Sequence, residues 1–241
     1  MRVAVVSDIH GNLTAFEAVL ADLRHTAPDL VLHGGDLADA GSSPIEIIDR
    51  IADLGWPGVL GNTDEMLIHP ESLEEFARHS AAPASLWSAI RDIAAATRTA
   101  LGEQRLDFLR SLPRVQALPP LGLVHASPES CWHAPSSTTT DAELEAVFGS
   151  VDQPIVAFGH THHPFVRIIE KSGLVVANTG SVGLPYDGDP RASYLLIDDS
   201  QASIRRVEYD REKELKLLSS CGLPGAGWTA KMLVSASPQM P

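Results

Sequence analysis

The chain has 241 residues, of which 44% are hydrophobic, so it is long enough for one large domain with a complete core. Its 31 acidic and 18 basic residues give a formal net charge of −13, which argues against a general nucleic-acid-binding surface because such surfaces are usually basic. Two cysteines, Cys131 and Cys221, are too few for a disulfide framework. We predict reduced thiols, a cytoplasmic location and no membrane partner, since the sequence has neither a signal peptide nor a membrane-spanning apolar run.

The first third of the chain predicts alternating strands and helices. The short apolar runs of strand-like residues lie at 3–6, 29–33 and 57–60. Between them, residues 13–23 have helical apolar spacing after Asn12, which is a good amino-terminal cap. Residues 44–54 predict a second helix with a proline in its first turn. The pattern is that of a β-α-β-α-β unit.

The middle of the chain predicts helices and one pair of strands. Residues 64–112 are rich in alanine and have little strand character, so we interpret them as a helical insertion beside the site. The helical segments within this insertion lie at 71–79, 85–99 and 103–112. Paired strands are predicted at 114–118 and 121–125, joined at Pro119 and Pro120, and a further helix begins at Asp141.

After residue 153 the chain predicts mainly strands that are separated by Gly and Asp turns. These strands lie at 155–158, 165–170, 174–177, 192–198 and 203–209. A β-rich second half indicates a second sheet packed on the first. We expect a helix at 211–219. Residues 221–241, rich in Gly, Pro and Ser, are interpreted as a loosely docked tail outside a single domain of residues 1–220.

Five short segments contain side chains that bind hard or borderline metal ions. Most of these segments follow an apolar strand-like run, and side chains just past the carboxyl end of a strand lie where α/β folds place their sites. A single aspartate or asparagine after a glycine is typical of turns, and a single histidine is usually structural. Seven potential metal ligands in such positions together indicate a metal site. The candidate ligands are Asp8, His10, Asp36, Asn62, His125, His160 and His162.

The chemistry of these two Asp, four His and one Asn residues predicts the kind of metal. Mixed imidazole and oxygen ligands suit zinc, manganese, iron or nickel, and they contain too much nitrogen for a calcium or magnesium cage. Seven ligands exceed the needs of one tetrahedral ion. Two ions that share a bridging carboxylate need about that number when water fills the remaining positions. We therefore predict two divalent transition metal ions.

The order of the five segments resembles the calcineurin-like metallophosphoesterase superfamily, whose pattern runs D-x-H, G-D, G-N-H-D or E, H, and G-H-x-H. The matching segments are Asp8-Ile9-His10, Gly35-Asp36, Gly61-Asn62-Thr63-Asp64, His125 and Gly159-His160-Thr161-His162. The resemblance spans about residues 2–208, and residues 178–194 are similar to the small bacterial and archaeal phosphodiesterase branch. It implies an α/β fold, a four-layer α/β/β/α sandwich of two mixed sheets with a helical insertion.

The resemblance also implies a role for each candidate residue. Asp36 would bridge the two ions, and a metal-bridging hydroxide would attack a phosphodiester bond of a small substrate. One ion would be held by Asp8, His10 and His162, and the other by Asn62, His125 and His160. Asp36 and His163 are the candidate catalytic residues, and His163 is chosen for its position directly after the His160-Thr161-His162 pair rather than from the resemblance. The candidate substrate contacts are Asn62, His163 and Arg191, and Arg191 is chosen because it lies in a Gly- and Asp-rich loop.

One position departs from the family pattern. Many members have a His directly after the ligand asparagine, where it resembles a general acid, whereas this chain has Thr63. A threonine hydroxyl does not donate a proton near neutral pH, and general acid catalysis typically contributes about 10² to 10⁴-fold. Asp64 is therefore expected to lack its usual partner. Three outcomes stay open: another residue such as His163 donates the proton, acidic leaving groups are preferred, or activity is low because the natural role differs.

We interpret the chain as a metal-dependent phosphodiesterase, because the small phosphodiesterase branch often lacks the same His. A phosphomonoesterase or protein phosphatase shares all five segments and is the nearest alternative. A non-catalytic metal-binding scaffold is a second alternative, although a scaffold has no need of complete metal ligands. A metal-dependent nuclease is a third, and the acidic balance of the chain argues against it.

Overall fold

The computed structural model of the chain describes residues 1–199 and 201–241. Its strands are, in chain order, β1 (Arg2–Val6), β2 (Leu30–His33), β3 (Val115–Leu118), β4 (Leu121–Val124), β5 (Ile155–Phe158), β6 (Phe165–Ile168), β7 (Val175–Asn178), β8 (Ala192–Asp198) and β9 (Gln201–Val207). Its α-helices are α1 (Leu13–Thr26), α2 (Pro44–Leu54), α3 (Asn62–Ile68), α4 (Pro70–Arg78), α5 (Ala84–Arg110), α6 (Asp141–Phe148), α7 (Arg211–Ser220) and α8 (Ala226–Ser235). The bounds of α2, β5 and β8 are those that the sequence predicts.

The strands form two mixed sheets. In the first sheet the order is β2-β1-β8-β9, with β1 parallel to β2 and antiparallel to β8. In the second sheet the order is β3-β4-β5-β7-β6, and β5 is parallel to both β4 and β7. Parallel neighbours have their carboxyl ends at the same edge of a sheet. The loops after β1 and β2 therefore emerge side by side, as do the loops after β4 and β5.

The alternation of side chains along β1 explains how the layers are built. Val3 and Val5 lie in a buried cluster formed by residues of both sheets, whereas Ala4 and Val6 lie in a cluster with residues of the helices. Leu123 of the second sheet belongs to the cluster between the sheets. Because both faces of β1 are covered, its sequence is a continuous apolar run.

Helices cover the outer face of each sheet. On the first sheet, α1, α2 and α5 contribute buried residues such as Phe16, Ile48 and Leu106 to one cluster. On the second sheet, Leu144 and Phe148 of α6 pack against the strands. The order of layers is helix, sheet, sheet, helix. The predicted four-layer α/β/β/α sandwich of two mixed sheets is therefore confirmed.

The helical insertion differs from the prediction at its start and within its longest helix. It begins with α3 at Asn62, because the chain turns into a helix directly after residues 57–60. Those residues were predicted as a strand, but they make a single bridge between Gly58 and His33. In α5, a φ angle of 68° at Gly102 interrupts the helical geometry between the two segments that the sequence predicts.

The end of the chain is not the loosely docked tail that its composition predicts. Residues 226–235 form α8, in which Thr229, Met232 and Leu233 are buried. The Thr229 hydroxyl donates a hydrogen bond to the Ala40 carbonyl at 2.7 Å. One buried helical face docks this segment, and the surrounding Gly, Pro and Ser residues obscure that face in the sequence. The domain boundary at residue 220 stays a prediction.

Within the residues described, no helix combines the length and the apolar character that crossing a membrane requires.

Candidate metal centre

The candidate ligands converge where the edges of the two sheets meet, just past the ends of four strands. Asp8 and Asp36 follow β1 and β2 of the first sheet, and His125 and His160 follow β4 and β5 of the second. The backbone N–H of His160 donates to the two carboxylate oxygens of Asp8 at 3.1 and 3.2 Å. This contact joins the loops of one sheet to those of the other.

The first group of ligands consists of Asp8, His10 and His162. The Nε2 atom of His162 lies 3.1 Å from Oδ1 of Asp8 and 3.2 Å from Nε2 of His10. All three side chains are buried, and their ligand atoms lie within 4.8 Å of one another. One carboxylate and two imidazoles in this arrangement are donors that a borderline divalent ion binds.

The second group consists of Asn62, His125 and His160. The Oδ1 atom of Asn62 lies 2.9 Å from Nε2 of His125 and 2.8 Å from Nδ1 of His160. Asp36 lies between the two groups, with Oδ1 3.5 Å from Nε2 of His125 and Oδ2 3.6 Å from Nε2 of His10. Its two carboxylate oxygens thus face different groups, as the oxygens of a bridging carboxylate do.

Backbone carbonyl groups orient three of the imidazole rings. The Nδ1 atoms of His10, His125 and His162 lie 3.1, 2.8 and 2.6 Å from the carbonyl oxygens of Asp39, Gly34 and Leu184. A ring nitrogen that faces a carbonyl carries the proton, so Nε2 of each neutral ring presents a lone pair to the centre. The lone pairs of His10 and His162 then face each other at 3.2 Å and repel unless a cation lies near both. The donor set therefore fits a divalent metal ion.

The buried charges shift the pKa values of these side chains. Burial raises the pKa of Asp8, but the charges of His162 and two further imidazoles outweigh burial and lower this pKa well below its usual range. Burial, followed by the charge of another imidazole, lowers the pKa of His10 and lowers that of His160 to about 4. For His125, the nearby carboxylates outweigh burial and raise the pKa. Carboxylates that favour a proton on the ring of His125 also favour a metal ion, which takes the place of that proton.

Five of the candidate ligands have positive φ angles, which residues other than glycine rarely adopt. They are Asp8 (55°), His10 (47°), Asp36 (54°), His160 (66°) and His162 (57°). Close approach also explains two glycines of the motifs. A Cβ atom on Gly61 would collide with Oδ1 of Asp36, and one on Gly159 would collide with Oδ2 of Asp8. Strained backbone that the surroundings hold in place is common at functional sites.

The carboxylate of Asp64 holds the loop that carries Asp36. It accepts the backbone N–H groups of Asp36 at 2.8 Å, Leu37 at 3.0 Å and Gly61 at 3.1 Å. Asp64 lacks its usual His partner at position 63, as expected, and its carboxylate is bound by backbone amides instead. Burial, followed by the charge of Asp36, raises the pKa of Asp64 to about 7. The Thr63 backbone N–H donates to Oδ1 of Asp36 at 2.9 Å.

Two of the predicted substrate contacts do not line the cavity beside these ligands. His163 is exposed, and its Nδ1 lies 2.6 Å from the carbonyl oxygen of Thr161. Arg191 is paired with Asp189 at 2.6 Å and lines a different surface cleft. Of the predicted contacts, Asn62 is the one found among the described residues that line the cavity. Substrate roles of His163 and Arg191 stay predictions without support from these positions.

A cavity of about 280 Å³ opens beside the ligands, and its walls are mainly aromatic and aliphatic. The aromatic residues that line it are Phe76, Trp87, Trp132, Tyr186 and Trp228. Sequence reasoning missed these residues, because they come from α4, α5, α8 and two loops and share no common spacing. The sequence offered one hint of an aromatic cavity, which is that its tryptophans lie outside the predicted strands.

Solved structures share this fold. A metallophosphoesterase from Sphaerobacter thermophilus is 27% identical to this chain, with a TM-score of 0.78 over 98% of this chain and 100% of that one. The hypothetical protein PH1004 from Pyrococcus horikoshii OT3 has a TM-score of 0.83 over 99% of each chain, and its 19% identity makes this a likeness of fold alone. The class that fold and donor set define is that of the metallophosphoesterases.

Sequence comparison identifies the family. Residues 1–201 match the calcineurin-like phosphoesterase superfamily domain. The uncharacterized protein MJ0912 of Methanocaldococcus jannaschii is 32% identical over 243 aligned residues, which cover 92% of this chain and 93% of that protein. This chain belongs to the calcineurin-like phosphoesterase superfamily, a family of metal-dependent hydrolases.

Proposed function

We propose that this protein is a phosphodiesterase that hydrolyses small phosphodiesters with the help of two divalent transition metal ions. The observation that carries the proposal is the position of Asp36, whose carboxylate oxygens face His125 at 3.5 Å and His10 at 3.6 Å. A carboxylate in this position is able to join two ions. Membership of the superfamily supports phosphoester hydrolysis. The preference for diesters and the number of metal ions go beyond family membership and are our proposal.

Each ion has its own set of ligands in this proposal. Asp36 would be shared, and manganese, iron, zinc and nickel would all suit the mixture of imidazole and oxygen donors. When bound, paired divalent ions polarise phosphate oxygens and lower the pKa of water from 15.7 to about 7. One ion is assigned to Asp8, His10 and His162, and the other to Asn62, His125 and His160.

The side chains and backbone of the protein prepare the centre for this chemistry. The carbonyl groups of Asp39, Gly34 and Leu184 keep the Nε2 lone pairs of three imidazoles directed inward. Asp64 holds the backbone of Asp36, and the backbone N–H of Thr63 orients one of its carboxylate oxygens. Ligands that are held in place before the substrate arrives need no rearrangement during the reaction.

The charges around the cavity favour diesters over monoesters. No lysine or arginine is found among the described residues that line the cavity. The second negative charge of a monoester would therefore meet no cationic side chain. A diester carries a single charge and needs no such partner.

Metal content and turnover of the purified protein test the proposal. We expect elemental analysis to find two divalent ions per chain. We expect hydrolysis of bis(p-nitrophenyl) phosphate to exceed that of p-nitrophenyl phosphate in kcat/KM. Asp36→Asn should reduce diester hydrolysis by about 100-fold or more, because a neutral amide does not replace a shared carboxylate. Asp53→Asn changes an exposed aspartate of α2 in the same way and should retain metal and activity.

Other outcomes would contradict the proposal. Faster hydrolysis of the monoester would favour the phosphatase alternative. A purified protein that has neither bound metal nor turnover, even after manganese is supplied, would favour the scaffold alternative. Unchanged activity of Asp36→Asn would refute the role of the shared carboxylate.

A further inference from the structure

The cavity beside the candidate metal centre has more aromatic side chains in its walls than ester hydrolysis alone requires. Its volume of about 280 Å³ is near the lower end for small-molecule sites, which is roughly 300 Å³. Three of the four tryptophans of the chain line it: Trp87 on α5, Trp132 in the loop before α6, and Trp228 on α8. The Phe76 ring lies between two of them, with centroid distances of 5.8 Å to Trp87 and 4.9 Å to Trp132. These contacts form a rigid apolar wall.

The cavity is continuous with the candidate ligands. His10, Asn62 and His160 contribute to its lining. Tyr186 in the cavity wall stacks on the ring of His162, with centroids 4.4 Å apart. A phosphodiester held at the centre therefore has one of its ester groups beside the aromatic wall.

The charges that face the cavity disfavour an ester group with further negative charge. No lysine or arginine lies among its described lining residues, and the one carboxyl side chain among them is that of Asp39. Arg114 lines a neighbouring cavity that shares Phe76 and Trp132, and it is paired there with the buried Glu65. A polyphosphate or a carboxylate-bearing ester would be moved from water to an apolar space without a counter-ion.

We propose that this cavity selects phosphodiesters in which the ester group that is not released bears an uncharged aromatic ring, and that Trp87 determines this specificity. The inference rests on the proposed phosphodiesterase function and names its substrate class. A flat, uncharged ring fits aromatic walls that offer no charged partner. A substituted benzene and a nucleobase share this chemistry, because both are flat rings that stack on aromatic side chains.

Three diesters with the same leaving group test the proposal. Methyl p-nitrophenyl phosphate, phenyl p-nitrophenyl phosphate and thymidine 5′-(p-nitrophenyl) phosphate all release p-nitrophenolate, so differences in kcat/KM reflect the second ester group. We expect kcat/KM of at least one ring-bearing diester to exceed that of the methyl diester by about tenfold. The better of the two ring-bearing diesters distinguishes a simple aryl group from a nucleoside. Equal values for all three diesters would overturn the proposal.

A matched pair of tryptophan variants locates the preference. Trp87→Leu removes the aromatic face without breaking a side-chain hydrogen bond, and we expect the ratio of ring-bearing to methyl diester to fall about fivefold or more. Trp56→Leu changes the fourth tryptophan, which packs on Phe16 away from this cavity, and should leave the ratio unchanged. An equal effect of both variants, or no effect of Trp87→Leu, would contradict the assignment of Trp87.

Binding of stable analogues separates this inference from the proposed function. Isothermal titration compares monomethyl phenylphosphonate with monomethyl methylphosphonate, which carry one negative charge and differ in the ring. Tighter binding of the phenyl compound to the wild-type protein supports the cavity preference, whether or not the protein hydrolyses an ester. If the phenyl compound binds more tightly but no diester is hydrolysed, the phosphodiesterase function is refuted and the cavity preference is not. Equal binding of the two compounds refutes the cavity preference whatever the activity.

Discussion

The carboxylate of Asp64 accepts the backbone N–H of Asp36 at 2.8 Å, so a residue in the first turn of α3 fixes the loop of the central candidate ligand. The same carboxylate accepts the N–H of Gly61, the residue before Asn62. One side chain therefore sets the positions of candidate ligands from two separate loops. An acidic residue at position 64 is therefore useful for holding these two loops, even though position 63 has no His for it to orient.

Replacement of Asp64 by asparagine is expected to weaken the metal centre. The amide group has one oxygen acceptor in place of two, and its NH₂ group would face backbone N–H donors. We expect Asp64→Asn to lower metal affinity or diester turnover by about 10 to 100-fold, measured by titration with manganese and by kcat/KM. Asp210→Asn, at the amino-terminal cap of α7, is the matched control, since asparagine caps helices well. Unchanged metal affinity in Asp64→Asn would contradict this role.

A methyl group at position 159 is expected to disrupt the first group of ligands. The Cβ atom of Gly159→Ala would collide with Oδ2 of Asp8 and displace that carboxylate or the loop after β5. We expect loss of bound metal, measured by elemental analysis, and a lower melting temperature. Gly149→Ala is the matched control, because a Cβ atom there has open space and the residue has a helical φ of −60°. Its stability should be unchanged or higher by up to about 1 kcal/mol. Full metal content in Gly159→Ala would refute the prediction.

An imidazole at position 63 is expected to supply the missing proton donor. Thr63→His places this group in the cavity lining, where it would protonate a departing alkoxide. We expect kcat to rise for diesters with alkyl leaving groups and to change little for p-nitrophenyl esters, which need no acid. Rates for a series of leaving groups check this difference. Thr99→His, at an exposed position of α5, controls for the added imidazole. Unaltered rates for every leaving group would show that the absence of His at position 63 does not limit the reaction.

The buried imidazole of His33 is expected to make the folded protein sensitive to acid. Burial lowers the pKa of His33 from the ordinary 6.5 to about 4. Between these values the unfolded chain binds a proton that the folded chain does not bind, so the unfolding free energy falls as the pH falls from 6.5 towards 4. Urea unfolding of chelator-treated protein at about pH 7.5 and about pH 5 measures this loss.

The variant His33→Leu should lose less stability than the wild type over the same pH interval, because it has no group to protonate at this position. His25→Leu removes an exposed imidazole of α1 and should keep the pH dependence of the wild type. Equal losses in the wild type and in His33→Leu would show that His33 does not contribute to the acid sensitivity.

The sequence by itself determined the layers of the fold and the set of candidate ligands. Apolar runs such as Val3 to Val6 mark strands that are buried on both faces, because burial and strand length are local properties of the chain. The candidate ligands could be identified because they follow these runs at fixed short distances, as Asp8 does after β1. Their spacing predicted a common edge, and whether they bind metal stays a prediction.

Only the tertiary structure decided what surrounds these ligands. Trp87, Trp132 and Trp228 lie far apart in the chain and share no period, so their meeting in one cavity depends on how whole helices and loops pack. The same reason applies to α8, whose docking depends on contacts with distant residues such as Ala40. Local patterns predict which residues are apolar or able to bind a metal. Contacts between distant residues depend on the packing of the complete fold, which the local pattern does not contain.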